Sequence, residues 1–191
     1  RCGGDEIAII PDTISQLAFG AGLFVAASSA TVGTVLTSPD GETWTRRETA
    51  TPRPTVSFTS LQYTSDGFLA TSGSSAAPIL RSTDGLAWSA TTIFTPTLAS
   101  VPTGIAFGNN RYVMTASAPD LLLLSSDLFV WFRAGRAEAR SYNAIATDGK
   151  VAVAVGSSRA NSGALVETTF DGTTWFARSA TTSNVNLTDV T

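Results

Sequence analysis

The chain has 191 residues, 43% of them hydrophobic and 14% charged, and a formal net charge of −3. Such a composition buries a core, which excludes a disordered chain. The mild acidity and scattered arginines exclude a binder driven by phosphate neutralisation, and no apolar run approaches the roughly 20 residues that span a bilayer. The chain contains no histidine, which removes Ser-His-Asp and Cys-His triads and the ordinary zinc sites. No metal and no cofactor is expected. Cys2 is the single cysteine and has no internal disulfide partner. The sequence starts at Arg1 without a signal peptide, which suggests processing or a piece of something longer. Asn186 heads a lone N-glycosylation sequon.

In chain order, residues 13–50 contain four short segments rich in β-branched and aromatic residues: "QLAF", "LFVAAS", "TVLTS" and "TWTRRE". They read as strands. "GAG" separates the first two, and "SPDGE" separates the last two. The same order recurs over 57–94, with "LQYTSDGFLA" followed by "RSTDGLAWS". It recurs over 101–135, with "IAFGNNRYVM" and then "LSSDLFVWF". Over 142–180 the markers are "IATDGKVAVA" and "TTFDGTTWF", with "GSSRANSG" at 156–163 expected as an insertion loop. Turns such as "SDG" and "GNN" suit tight hairpins, because Gly and Asn tolerate positive φ. Between units lie Pro- and Thr-rich linkers, "TATPRPTV" and "TIFTPTLASVP". The stretch "RAGRAEARS" at 133–141 lacks large apolar residues and reads as a loop.

The tryptophans Trp44, Trp88, Trp131 and Trp175 are spaced 44, 43 and 44 residues apart. Asp40, Asp84, Asp127 and Asp171 keep the same step. Four short strands in a unit of about 44 residues match a β-propeller blade. The expected fold is therefore all-β, a β-propeller of four-stranded antiparallel blades. It has about four complete blades, with residues 184–191 as the first strand of a fifth.

The repeated phrase resembles the Asp-box, or BNR repeat, of sialidase-like propellers, in a shortened Ser/Thr-x-Asp-Gly-x-x-Trp form similar to that of bacterial and phage surface propellers. On the residues themselves, the phrase falls at the hairpin between the third and fourth strands. There Asp40, Asp84, Asp127 and Asp171 accept backbone N–H groups. Ser38, Ser82, Ser125 and Thr169 add a local bond, and Gly41, Gly85 and Gly172 supply positive φ. Leu128 stands where the third copy lacks its glycine, so that turn should be altered or strained. Each Trp should pack beside its turn. The role is structural, because a catalytic constellation needs different residues converging once.

The sialidase resemblance also implies three arginines around a carboxylate, a tyrosine nucleophile with a glutamate, and an acid/base aspartate. Arg53 in "TPRPT" lies between blades, while Arg81, Arg111 and Arg133 fall in no motif. Tyr63, Tyr112 and Tyr142 read as packing, and Glu6, Glu42, Glu48, Glu138 and Glu167 show no paired placement. No catalytic residue is expected, and the chain reads as a non-enzyme. Its expected role is a recognition or structural module of a larger extracellular, cell-surface or virion (phage fibre-like) protein. Its loops would bind protein or glycan, with a sialidase-like hydrolase as the alternative. Any ligand is expected on the face opposite the aspartate turns, at Arg53, Arg136, Arg140, Arg159 and Asn161. The ring is not expected to close alone, so further chain or other subunits should complete it.

Overall fold

The computed structural model describes residues 13–29, 34–47, 57–74, 78–91, 93, 101–116, 122–134, 140–158, 163–178 and 187–190. These residues form four antiparallel sheets of four strands each, every sheet in sequential order. Blade 1 holds β1 (Ile14–Gly20), β2 (Leu23–Ser28), β3 (Val35–Ser38) and β4 (Thr45–Arg47). Blade 2 holds β5 (Phe58–Thr64), β6 (Gly67–Ser72), β7 (Ile79–Ser82) and β8 (Ser89–Thr91). Blade 3 holds β9 (Pro102–Gly108), β10 (Arg111–Ala116), β11 (Leu122–Ser125) and β12 (Phe132–Ala134). Blade 4 holds β13 (Arg140–Thr147), β14 (Ala152–Ser158), β15 (Gly163–Thr169) and β16 (Phe176–Arg178). The all-β propeller of about four blades is the architecture observed.

Neighbouring blades meet along their first strands. β1 lies beside β5, β5 beside β9 and β9 beside β13, and no comparable contact joins β1 to β13 among the described residues. Because successive side chains point to opposite faces of a strand, each sheet has two faces to bury. In blades 2 and 3 one meets the preceding blade and the other the following blade, while blades 1 and 4 each meet one described neighbour, so the core is three slabs between blades rather than one central mass. In the first slab Ala18, Val25, Ala27 and Val35 of blade 1 meet Phe58, Leu61, Phe68, Leu80 and Trp88 of blade 2. Leu69 and Ile79 of blade 2 meet Ile105, Met114, Leu123, Leu128 and Trp131 of blade 3. Val113, Leu122 and Leu124 of blade 3 meet Tyr142, Ile145, Ala154 and Trp175 of blade 4. At about 25 cal/mol per Å² of apolar surface, such slabs supply most of the folding free energy.

A ladder of side-chain bonds joins the blades near the start of each first strand. Thr59 Oγ1 donates to the Pro102 carbonyl at 2.8 Å, and Thr103 Oγ1 donates to the Tyr142 carbonyl at 2.9 Å. Asn143 Nδ2 donates to the Leu187 carbonyl at 2.7 Å, continuing the series past blade 4. Residues 187–190 nonetheless belong to no strand, and 184–186 and 191 lie outside the described residues.

The segment expected as an insertion loop is a correction. Gly156 and Ser157 are in β14, and the ladder with β15 extends to the Ser158–Gly163 pair. Longer strands, not a longer loop, therefore account for most of the extra length, and 159–162 lie outside the described residues.

Candidate functional site

The aspartate turns are local structures. In each, one carboxylate oxygen accepts the N–H groups two and three residues on: Glu42 and Thr43 at 2.9 Å each for Asp40. Asp84 accepts from Leu86 and Ala87 at 2.8 and 3.0 Å. Asp127 accepts from Phe129 and Val130 at 2.8 and 2.9 Å, and Asp171 from Thr173 and Thr174 at 2.8 and 2.7 Å. The hydroxyls of Ser38, Ser82, Ser125 and Thr169 donate to the same oxygen at 2.8–3.1 Å. They also accept the N–H of Gly41, Gly85, Leu128 and Gly172 at 2.8–2.9 Å. The indole N–H of Trp44, Trp88, Trp131 and Trp175 closes each turn on the carbonyl of Gly41, Gly85, Leu128 and Gly172 at 2.9–3.3 Å. Backbone N–H donation holds all four carboxyls below the ordinary aspartate range. Asp148, in the β13–β14 hairpin, is lowered by the same means, through Val151 and Lys150.

Leu128 divides its expectation: the turn is strained and is not altered. Its turn keeps every bond of the glycine-bearing copies, and Leu128 adopts φ 70° beside the 79°, 73° and 75° of Gly41, Gly85 and Gly172. The strain is about 1–2 kcal/mol for an L residue. It is offset because the Leu128 side chain is buried in the slab between blades 2 and 3.

The four turns differ in what lies outside them. Trp88, Trp131 and Trp175 are 3%, 2% and 4% exposed, whereas Trp44 is 37% exposed. Leu17 is 62% exposed, while its register equivalents Leu61, Ile105 and Ile145 are 8%, 1% and 8%. Phe19, Phe24 and Trp44 form a run of rings with centroids 4.5 and 6.5 Å apart. This is the blade face that, in the other three, rests on a preceding blade.

A buried cluster that the sequence reading missed sits in blade 4. Glu167 accepts hydrogen bonds from the Arg140 guanidinium and the Tyr142 hydroxyl, and all three residues are buried. Glu167 occupies the register position of Leu36, Leu80 and Leu123, so a charge where the repeat has leucine was the available signal. Arg140 is thus a strand residue inside the protein rather than a loop residue facing solvent. Arg53, Arg136, Arg159 and Asn161 lie outside the described residues.

The first strands line a groove of about 470 Å³, with Ser15, Thr59, Gln62, Thr103, Asn143 and Asp189 among its walls. Gln62 Nε2 is buried there without a hydrogen-bond partner among the described residues. Among the described residues no three His, Cys, Asp or Glu side chains gather as a metal site would need, and no helix is long and apolar enough to cross a membrane.

No protein-family model and no curated protein matches the sequence. Solved structures do match. Virginiamycin B lyase from Staphylococcus aureus superposes with a TM-score of 0.67 at 14% identity, covering 91% of this chain and 58% of that one. YCF48 bound to D1 peptide gives 0.60 at 13% identity, covering 91% and 55%. The GH74 xyloglucanase from Xanthomonas campestris gives 0.59 at 12% identity, covering 88% and 30%. The chain spans little more than half the length of the first two and under a third of the third. At these identities the likeness is one of fold, and the fold is the β-propeller.

Proposed function

We propose that the chain is a non-catalytic recognition or structural module, a run of Asp-box blades completed by further protein within an extracellular or virion assembly. The observation that carries this reading is the uncovered face of blade 1. Leu17 and Trp44 expose there side chains whose counterparts in blades 2–4 are buried against a neighbour, and Phe19 lies exposed beside them. An apolar surface of this kind, rimmed by polar residues, is the mark of an interaction site. Support for the non-catalytic part comes from the aspartates, whose bonding oxygens serve their own turns and carry the same bonds four times over. The one described grouping of Tyr, Glu and Arg, the set that a sialidase-like hydrolase would use, is Tyr142 with Glu167 and Arg140. It is sealed between blades 3 and 4, where a substrate has no access. An inert scaffold at a surface also suits a chain with a single lysine, Lys150, and 14% charged residues.

A glycan array and a panel of fluorogenic glycosides, run on the same preparation, test the reading. Turnover abolished by Glu167→Gln in a variant that keeps its melting curve would overturn it. Binding to a protein or glycan with no turnover is the expected result.

A further inference from the structure

A repeat protein can be read for function at the positions where it departs from its own repeat. One register position pairs with Val25, Leu69, Val113 and Val153 of the second strands, and carries Thr37, Arg81, Leu124 and Thr168 in the four blades. Thr37 and Thr168 each accept a hydrogen bond at 2.8 Å from a fourth-strand arginine, Arg47 and Arg178. Arg81 reverses that chemistry. The third strand itself now carries the cation, half-buried, and its guanidinium makes no hydrogen bond or ion pair among the described residues. A second departure faces it. The position after the box glycine is Glu42, Leu86 or Thr173 in three blades, and in blade 3 it is Phe129, 40% exposed.

Both departures open on one groove of about 650 Å³ between blades 2 and 3, walled by Asp66, Arg81, Trp88 and Phe129. Its floor includes Ser89, Ala90 and Thr91 of β8. β8 is the last strand of its sheet, so one of its backbone edges has no strand partner among the described residues. Asp66 shares the groove with Arg81 but is not within ion-pair distance of it. Asp66 Oδ2 instead accepts the Tyr112 hydroxyl at 2.8 Å. Partial burial of Arg81 costs it some hydration, and no acceptor among the described residues returns it. An occupant with a carboxylate would return it through a charge-assisted pair.

We propose that the groove between blades 2 and 3 binds an extended acidic peptide. The peptide main chain adds to the free edge of β8, a Glu or Asp side chain meets Arg81, and an apolar neighbour lies on Phe129. The strand edge selects a peptide over other anions, because main-chain pairing gives affinity while the two side-chain contacts give specificity. The proposal rests on the recognition reading above and gives it a surface and a partner chemistry.

The test is an NMR amide titration of the whole chain with the capped peptide Ac-Thr-Val-Glu-Val-Thr-NH2. Shift changes are expected at Asp66, Arg81 and residues 88–91, with weak, saturable binding. Arg81→Gln should weaken binding about tenfold, as loss of one charge-assisted pair does. Replacing the peptide's Glu by Gln should weaken it equally, and combining the two changes should add little. Arg178→Gln, which alters an arginine on another blade, should leave affinity unchanged. Because the Arg81 guanidinium makes no hydrogen bond or ion pair among the described residues, Arg81→Gln should melt no lower than the wild type. Binding indifferent to Arg81→Gln, no shifts in the groove, or shifts there from digalacturonate and not from peptide would each overturn the proposal. Peptide binding at another surface would overturn it while leaving the recognition reading standing. Glycoside turnover would end that reading separately.

Discussion

The turn at Asp40 and the turn at Asp84 have the same internal bonds and different surroundings. Around Gly85, a methyl group built on the backbone would stand 2.8 Å from Val25 Cγ2 and 3.1 Å from Leu23 Cδ2, both in blade 1. Around Gly41 nothing lies nearer than Phe24, of its own blade, at 3.7 Å. Trp88 is sealed and Trp44 is open. The bonds that shape the turn belong to the turn, while the burial of its tryptophan belongs to the preceding blade. Shape is therefore local in this protein, and stability is shared between neighbours.

Tryptophan truncation strains that comparison most. Trp88→Ala should cost about 3–5 kcal/mol, as large-to-small changes in a packed core do. Trp44→Ala should cost about 1 kcal/mol. Urea denaturation of the two variants measures both, and equal losses would break the comparison.

Glycine substitution gives the next effect. Gly85→Ala meets blade 1 as well as an unfavourable positive φ, so it should cost about 2–3 kcal/mol. Gly41→Ala meets only the φ term, about 1 kcal/mol. In blade 3, Leu128→Gly relieves φ strain but empties a buried site, for a net loss of about 2 kcal/mol. A stabilised Leu128→Gly protein would show that strain, not burial, governs that turn.

Acid should act on all four turns alike. Their carboxyls titrate in the fold below the ordinary aspartate value of 3.8. Their contribution is complete above that value and is lost as pH falls through the lower folded values. Melting temperature should therefore drop steeply below pH ~4. Asp84→Asn should lower it by a few degrees (roughly 2–4 °C per kcal/mol for a chain of this size) at neutral pH and flatten part of the acid slope. An unchanged slope would remove the turns from the account.

Tyr112 gives the smallest effect. Burial, then its bond to Asp66, pushes the phenol from 10.0 up to about 12. Because the folded value is the higher one, stability from this group is complete below pH 10 and is lost as pH rises from 10 toward 12. Ultraviolet titration should show a late component that is lost in Tyr112→Phe and moves earlier in Asp66→Asn.

What was legible in the sequence follows the same division. The blades and the bonding of each turn could be read because the contacts span two or three residues and repeat at a fixed step. The contacts between blades could not. Arg140 and Glu167 are 27 residues apart, and neither sits in a pattern until the four third strands are aligned and Glu167 stands among leucines. At Leu128 the strain of positive φ was legible, but turn chemistry alone omits the slab that its side chain fills and that keeps the turn unaltered. Arg140 was expected on a loop because "RAGRAEARS" lacks large apolar residues, yet its last two residues, Arg140 and Ser141, begin β13.

The central claim is that blade 1 presents an uncovered face built to receive another blade or protein. Protein labelled with 5-fluorotryptophan and exposed to a soluble paramagnetic relaxation agent tests it directly by ¹⁹F NMR, with Trp44 assigned through Trp44→Phe. At dilutions where the chain sediments with the 19.8 kDa mass of one copy, the account predicts that the agent broadens the Trp44 signal and spares the other three. Four equally protected tryptophans in that monomer would mean that the chain covers this face by itself, and would contradict the claim.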